Sequence, residues 1–215
     1  MKRTASSRQW LQRHVSDPYV KRSKQEGYRS RAAYKLIEID ARDRILAPGA
    51  VVVDLGSAPG GWTQVAVKKA GARGRVVAID LLDMPAVPGA VFIRADFAAE
   101  GGLAQVEAAL GGGKADAVLS DMAPNLSGIA ITDQARALAL AELARDFAIA
   151  HLKPGGAFLV KVFQGAGYDE YLRSLRAAFG KVLVRKPDAS RGESAELYLL
   201  ARAPLETRDV ARILL

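Results

Sequence analysis

The stretch from Val51 to Trp62, VVVDLGSAPGGW, constrains the fold of this chain more than any other part of the sequence. Three valines lead into Asp54, and the loop that follows contains Gly56, Pro59, Gly60 and Gly61. A short apolar run that ends in glycines is typical of a buried parallel strand that enters a ligand-binding turn. Residues 62–71 have the composition of a helix that ends at a glycine. Strand, glycine loop and helix form the opening unit of a nucleotide-binding α/β sheet.

The glycine spacing of this loop differs from that of a dinucleotide-binding loop. Such a loop reads G-x-G-x-x-G and holds a pyrophosphate against a helix N-terminus, whereas Ala58 stands two residues after Gly56 here. A nucleoside with an amino-acid tail fits equally well, because its ammonium and carboxylate need loop carbonyl and N–H groups. A purely structural interpretation also remains, in which a tight strand-to-helix turn needs glycine for a positive φ.

Strands and helices alternate along the rest of the chain. Strands are predicted over residues 50–55, 75–80, 90–94, 115–120 and 157–160, and over 181–185 and 196–201, which form a hairpin. Helices are predicted over residues 31–39, 62–71, 101–110, 132–152 and 168–179, with Ser30 and Thr132 as caps of the first and fourth. This alternation predicts an α/β fold with a mostly parallel seven-stranded sheet, one antiparallel strand and helices on both faces.

The length of 215 residues suits a single well-buried domain. We expect this domain over residues 29–203, after a basic arm over residues 1–28 that is irregular or only partly helical. Residues 204–215 would form a tail, either a short helix or frayed. The absence of cysteine excludes disulfides and thiolate metal sites and fits a reducing compartment, so we expect a cytoplasmic protein.

Other site classes are disfavoured by composition. With only two histidines, the chain is a poor candidate for a Ser-His-Asp site or a histidine metal cluster, and we expect no metal. The sequence contains no apolar run approaching the roughly 20 residues that a membrane helix needs, so we expect no membrane partner.

The positive charge of the chain is concentrated at its amino terminus. Of 31 lysines and arginines and 23 acids, ten bases and two acids fall in residues 1–35, so this segment carries +8 and the remainder is neutral. The segment also contains Trp10, Tyr19, Tyr28 and Tyr34. Cations interleaved with aromatic rings suit a nucleic-acid backbone with unstacked bases. A solvated tail and a targeting peptide over residues 1–15 are the alternatives, although the basic pattern continues past any such peptide into a helix.

Charged side chains follow five of the predicted strands: Asp54, Asp80, Asp96, Asp121 and Lys161. Because ligands of open α/β sheets lie outside the carboxyl ends of the strands, these side chains are expected to surround one site. Asp80 comes about 20 residues after the glycine loop, where a ribose-binding carboxylate belongs. Any single acid of this kind can instead cap the helix that follows it, but the four together favour a binding site.

Four runs give the chain a more specific resemblance: DLGSAPGGW (54–62), SDMAPN (120–125), LVKVFQG (159–165) and SAELYLLA (194–201). In order and spacing, over roughly residues 28–202, they resemble the FtsJ-type ribose 2′-O-methyltransferases of large-subunit ribosomal RNA. The resemblance implies a Rossmann-like class I methyltransferase fold and S-adenosylmethionine as methyl donor. It implies the ribose of a uridine in 23S rRNA, within the large ribosomal subunit, as substrate, and a monomeric enzyme.

The resemblance also implies roles for individual residues. Gly60 and Trp62 are assigned to the amino-acid and sulfonium end of the donor, Asp80 to its ribose hydroxyls, and Asp96 to its adenine. The whole implied donor-binding set is Asp54, Gly56, Pro59, Gly60, Gly61, Trp62, Asp80, Leu81, Asp96, Phe97 and Asp121. The implied catalytic set is Lys35, Asp121, Lys161 and Glu196.

The implied chemistry needs a base, because a ribose hydroxyl becomes a good nucleophile only when its proton is removed. Lys161, at a rigid strand end, can serve if burial beside Lys35 favours a neutral amine against the effect of nearby carboxylates. Lys35 can orient the hydroxyl or stabilise the alkoxide. Asp121 can hold Lys161, and Glu196 can anchor the lysines. Which lysine accepts the proton stays open, and without the family an exposed helical lysine is the simpler interpretation of Lys35.

Three other functions are compatible with such a sheet. A methyltransferase acting on base amino groups would carry an aromatic residue near Asp121 to clamp a planar amine, but the run there is DMAPN. A dehydrogenase would need the dinucleotide loop that this sequence lacks. An RNA-binding module without catalysis would retain the basic arm but would have no need for Lys161 or Glu196.

Overall fold

The computed structural model describes residues 17–125, 127–190 and 194–205. In these ranges seven strands form one sheet: β1 Val51–Leu55, β2 Arg75–Asp80, β3 Ala90–Arg94, β4 Ala115–Ser120, β5 Leu152–Phe163, β6 Phe179–Arg185 and β7 Glu196–Pro204. The same ranges contain six helices: α1 Pro18–Gln25, α2 Ala32–Asp43, α3 Gly61–Ala70, α4 Glu100–Leu110, α5 Ala130–His151 and α6 Tyr168–Ala178. Residues 1–16 of the arm and the helix or frayed tail expected over 209–215 lie outside the described residues.

The strand order of the sheet is β3-β2-β1-β4-β5-β7-β6. The pairs among β1 to β5 are parallel, and β7 is antiparallel to both of its neighbours, β5 and β6. The predicted fold class, a mostly parallel seven-stranded sheet with one antiparallel strand, is therefore confirmed. The direction of strand addition reverses between β1 and β4, and this reversal point is where open α/β sheets bind ligands.

Both faces of the sheet are covered, so its strands are apolar on both sides. Side chains alternate between the two faces along each strand. Helices α4, α5 and α6 pack on one face, against residues that include Val53, Val118 and Val160. Helices α2 and α3 pack on the other, against residues that include Val52 and Leu159. The sheet is thus held rigidly, and the loops at its carboxyl edge are carried by a fixed frame.

Two predicted helix caps are wrong. Helix α2 begins at Ala32, and Ser30 contributes only its backbone carbonyl, which accepts a hydrogen bond from the Ala33 N–H at 3.2 Å. Helix α5 begins at Ala130, two residues before Thr132. The side chain that braces its first turn is Asp133, whose carboxylate accepts hydrogen bonds from the N–H and hydroxyl of Ser127, both at 2.7 Å.

The described part of the basic arm is folded against the domain. Asp17 caps α1 by accepting the Tyr19 N–H at 3.0 Å, and Pro18 occupies the first helical position. The Tyr19 hydroxyl donates to Glu38 on α2 at 3.0 Å. The Tyr19 ring lies 5.5 Å from that of Tyr34, which is buried. This part of the arm therefore presents its cations from a fixed helix, and the Tyr34 ring serves the core rather than stacking on bases.

Among the residues that the structure describes, no helix combines the length and apolarity required to cross a bilayer.

Candidate active site

The glycine loop after β1 and the segment after β4 meet at the reversal point of the sheet. The Asp121 N–H donates to the Leu55 carbonyl at 3.1 Å, which ties the two segments together. Gly56 has φ +78°, and a Cβ placed there would lie 2.7–2.8 Å from atoms of Met122. Glycine is needed here for both reasons, the left-handed backbone and the close approach of the neighbouring loop.

A cleft of about 310 Å³ opens along this carboxyl edge. Six residues of the donor-binding set line it: Gly56, Asp80, Leu81, Asp96, Phe97 and Asp121. Nine further lining residues were not in that set: Ala58, Ile79, Leu82, Ala95, Ala98, Met122, Ala123, Pro124 and Leu140. The volume lies at the lower end of the range for small-molecule sites.

Two of the strand-end acids brace the loops that form this cleft. Asp80 accepts the Ala58 N–H at 2.8 Å with one carboxylate oxygen and the Leu82 N–H at 2.7 Å with the other. It therefore holds the glycine loop and the β2–β3 loop at a fixed separation. Asp96 accepts the Ala98 N–H at 2.9 Å. Each acid has a structural task in its own loop and also lines the cleft.

Asp54 lies under the glycine loop and is completely buried. Its Oδ2 accepts a hydrogen bond from the Thr63 hydroxyl at 2.6 Å, while its Oδ1 is buried and has no partner among the described residues. Burial raises the pKa of Asp54 to about 7; the Thr63 hydrogen bond opposes this shift, and the charges of Asp121 and Asp80 add to it. Asp54 therefore lies beneath the loop and is not part of the cleft lining.

A second group of polar side chains lies beside the cleft. Lys161, at the end of β5, donates to the backbone carbonyl of Asp121 at 2.6 Å and lies 3.1 Å from its Oδ1. The Lys161 side chain is only 8% exposed, so its amine is held in the protein and away from bulk water. Asp121 therefore lines the cleft and also forms an ion pair with Lys161.

The network continues from Asp121 to the other lysine. The Tyr198 hydroxyl donates to Asp121 Oδ1 at 2.9 Å. Lys35 on α2 donates to that hydroxyl at 3.2 Å and to Glu196 Oε1 at 2.6 Å. The order of the network is thus Lys161, Asp121, Tyr198, Lys35 and Glu196, which includes all four residues of the implied catalytic set. A basin of about 300 Å³ lined by Arg31, Lys35, Ser194 and Glu196 opens on the far side of this network from the cleft.

Strand register explains why these side chains meet. Lys161 on β5 pairs with Tyr198 on β7, and Glu196 lies two residues before Tyr198, so all three point to the same face. Helix α2 packs on that face and supplies Lys35.

Comparison with known proteins bears directly on this arrangement. Residues 28–203 match the FtsJ-like methyltransferase family. The chain belongs to that family. It is 55% identical over 210 residues to the ribosomal RNA large subunit methyltransferase E of Thiobacillus denitrificans, with 98% of this chain and 96% of the relative covered. It is 58% identical over 200 residues to the Azoarcus protein of the same name, covering 93% and 98%.

Solved structures give the same result for the fold of this FtsJ-like methyltransferase. A crystal structure of a ribosomal RNA methyltransferase from Plasmodium falciparum superposes with a TM-score of 0.74 at 28% identity, over 83% of this chain and 99% of that one. The Rossmann-like methyltransferase fold implied by the sequence is therefore confirmed.

Part of the implied donor-binding set lies away from the cleft of this FtsJ-like methyltransferase. Trp62 is buried, donates its indole N–H to the Ala32 carbonyl at 2.8 Å, and packs 5.6 Å from the Tyr198 ring. It connects α2 to the sheet. Pro59, Gly60 and Gly61 are absent from the cleft lining, and Gly60 caps α3 with φ +107°. Asp54 is under the loop, as described above.

Tyr198 is the site residue that sequence reasoning missed. The sequence carries a signal for it, because residues two apart on a strand share a face and Glu196 was already assigned. Burial raises the pKa of Tyr198 well above its ordinary value, and the negative charges of Asp121 and Glu196 add to the shift. Its hydroxyl therefore remains protonated and can donate to Asp121 while it accepts from Lys35.

Proposed function

We propose that this protein transfers a methyl group from S-adenosylmethionine to the ribose 2′-oxygen of a uridine in 23S rRNA, acting as a cytoplasmic monomer on the large ribosomal subunit. The observation that carries the proposal is Asp121, which lines the cleft and also holds Lys161. A donor site and an acceptor site on either side of one residue are what group transfer requires. The names of the relatives support ribosomal RNA as the acceptor.

The cleft suits an S-adenosyl donor. The Asp80 and Asp96 carboxylates in the cleft can accept hydrogen bonds from ribose hydroxyls and an adenine amino group. When bound, the donor supplies an electrophilic methyl group on a sulfonium. Asp121, between the cleft and the lysines, places a negative charge where that cation would lie.

We assign to Lys161 the acceptance of the proton of the ribose hydroxyl. A neutral amine has two N–H groups and one lone pair. The two oxygens of Asp121 that contact Nζ, at 2.6 and 3.1 Å, can accept both N–H groups and leave the lone pair for the substrate. The hydroxyl must approach Nζ to within about 2.6–3.2 Å. When the methyl group passes from the sulfonium to the 2′-oxygen, which would leave the donor as a neutral thioether, Lys161 Nζ would hold the proton released by that oxygen.

Lys35 has a different task. Its amine is held by Glu196 at 2.6 Å and by Tyr198 at 3.2 Å, both in fixed positions on β7. Lys35 also lines the basin that opens beside the network. A cation fixed there can stabilise negative charge that develops on the 2′-oxygen. Arg31, in the same basin, can contact an adjacent phosphate of the RNA chain.

The test compares two lysines of the same strand. Lys161 and Lys153 lie on β5, and each pairs with an aspartate near one end of β4. With labelled donor and ribosomal particles, we expect Lys161→Ala to lower kcat by about 100-fold or more with unchanged affinity for both substrates. Lys153→Ala, near the other end of β5, should retain activity. Alkaline hydrolysis and nuclease mapping identify the product, because a 2′-O-methylated ribose resists cleavage at its 3′ linkage.

The outcomes separate the alternatives. Label on a base would establish a base methyltransferase. RNA binding without any transfer by the wild-type protein would establish a binding module. Near-normal turnover of Lys161→Ala would assign the proton to another group.

A further inference from the structure

Arg29 occupies a position that the proposed function does not use. It lies in the short linker between α1 and α2, six residues before Lys35. Its backbone N–H donates to the Gln64 side chain at 2.9 Å, and Gln64 donates back to the Gly27 carbonyl at 2.9 Å. The linker is therefore fastened to α3, directly behind the glycine loop.

The guanidinium of Arg29 joins the two loops that form the cleft. Its Nη1 donates to the carbonyls of Pro59, in the glycine loop, at 3.3 Å, and of Pro85, in the β2–β3 loop, at 2.5 Å. Its Nη2 donates to the Ala86 carbonyl at 2.7 Å. Three carbonyls from two loops thus converge on one side chain, and the planar fork of arginine can satisfy them together.

The backbone around Arg29 leaves room for this contact. Gly60 has φ +107°, and a Cβ placed there would lie 2.8 Å from Arg29 Nη1 and 3.2 Å from its Cδ. The glycine therefore lets the guanidinium lie flat against the loop. Val87, whose Cγ2 would lie 3.2 Å from the same Cβ, closes the niche from the β2–β3 side.

Asp80 joins the same two loops from the other side. It accepts the N–H groups of Ala58 and Leu82 within the cleft, whereas Arg29 donates to carbonyls of the same loops behind it. The two loops are therefore fixed by a carboxylate on the inner side and by a guanidinium on the outer side. Without the outer contact, the separation of the loops depends on Asp80, on the Ser57–Met84 contact and on the small apolar cluster of Met84 and Val87 against which Ala58 packs.

We propose that Arg29 is a positioning residue for the methyl donor, one that sets the separation of the glycine loop and the β2–β3 loop. This inference rests on the proposed function, because it assigns the cleft to the donor. Since Arg29 sits on the segment that leads into α2, it also ties the cleft to the element that carries Lys35. Its task differs from that of Lys21, Arg22 and Lys24 on α1, which are exposed and suit phosphate.

The test uses substitutions that separate charge from geometry. Arg29→Lys keeps the positive charge and loses the fork, and Arg29→Met loses both. By calorimetry with S-adenosylhomocysteine, we expect both variants to bind about tenfold more weakly than wild type. In ligand-free protein, hydrogen exchange of the Ala58 and Leu82 amides should accelerate in both. The salt dependence of RNA binding should be unchanged for Arg29→Lys.

The matched control is Arg22→Lys, a substitution of an exposed arginine on α1 that pairs with Glu26. This variant should bind S-adenosylhomocysteine as wild type does.

Each outcome has one meaning. If wild type fails to bind S-adenosylhomocysteine, the donor assignment itself is wrong. If wild type binds it and both Arg29 variants bind equally well, Arg29 has no positioning role and the proposed function stands. If Arg29→Met weakens RNA binding alone, the residue is a phosphate contact and the inference is overturned. A thermal midpoint close to that of wild type shows that the variants are folded.

Discussion

At the scale of single residues, the burial of the Asp54 carboxyl predicts that the free energy of unfolding depends on pH. Its pKa is about 7 in the folded protein, against an ordinary value of 3.8, chiefly because of burial. Between these values the folded protein holds a proton that the unfolded chain has released, so the free energy of unfolding falls as pH rises. One such group contributes a slope of about 1.4 kcal/mol per pH unit.

Asp54→Asn should therefore remove this slope between about pH 4 and 7, because an amide does not titrate and can still accept from Thr63. The measurement is urea denaturation of ligand-free wild type and variant across that range. Asp116→Asn is the control. Burial opposes ionisation of Asp116, but hydrogen bonds from Lys153 and Val51 outweigh it and lower its pKa, so its contribution is lost only in more acidic solution. Parallel pH profiles for wild type and Asp54→Asn would contradict the prediction.

The sequence could identify many site residues for a physical reason. Asp80, Asp96 and Asp121 were found because parallel strands bring their carboxyl ends to one edge. Trp62 and Asp54 were harder to place, since a motif gives adjacency along the chain but not which side of a loop each residue faces. Tyr198 was missed because a tyrosine within an apolar strand looks like core, and only the register of β7 with β5 shows its hydroxyl between Asp121 and Lys35.

At the scale of elements, the carboxyl-terminal end of α2 is held against the antiparallel strands β6 and β7. Two guanidinium nitrogens of Arg185 on β6 donate to the Asp43 carboxylate, one to each oxygen and both at 2.7 Å. Arg202 on β7 donates to the Asp43 backbone carbonyl. The guanidinium of Arg185 lowers the pKa of Asp43, although burial opposes the shift. These contacts fix the helix that carries Lys35 to the strand that carries Glu196.

Asp43→Ala should leave the Arg185 guanidinium without its partner in a site where its side chain is 13% exposed. Loss of one partner of a largely buried ion pair costs about 3 kcal/mol of stability. We expect that loss in chemical denaturation, together with a higher KM for RNA as Lys35 loses its fixed position. Glu26→Ala, which removes an exposed ion pair on α1, should leave the denaturation midpoint almost unchanged. Equal midpoints for wild type and Asp43→Ala would show that the Asp43–Arg185 ion pair contributes no net stability.

Element boundaries also show where sequence reasoning stops. The seven strands and five of the helices were predictable because hydrophobic patterns and turn residues mark them. The starts of α2 and α5 were not, because several polar side chains near a helix start compete to cap it. At α5 the competition between Thr132 and Asp133 was decided by the loop before the helix, where Asp133 accepts two donors of Ser127 at once.

At the scale of the whole molecule, most of the positive charge lies in a different part of the chain from most of the catalytic network. The catalytic network contains two lysines and two carboxylates, so its net charge is zero with both lysines protonated and −1 with Lys161 as the neutral base, and in neither state does it attract RNA by net charge. The +8 excess lies in residues 1–35. Long-range attraction for a polyanion must therefore come from that segment, in which Lys21, Arg22 and Lys24 are exposed on α1.

Neutralising the cations of residues 1–16 should weaken RNA binding without loss of chemistry. Deletion up to residue 28 would also remove the contacts of α1 with α2, so the better variant replaces Lys2, Arg3, Arg8 and Arg13 with glutamine. Release of about 0.7 counterion per phosphate on a single strand predicts that the slope of log K against log salt falls by about 3. At saturating RNA, kcat should be unchanged. Arg73→Gln with Lys114→Gln, two exposed cations in the loops that precede β2 and β4, should change the slope by less than about 1. An unaltered slope in the fourfold variant would assign RNA attraction to the folded domain, and the arm would then be a solvated tail.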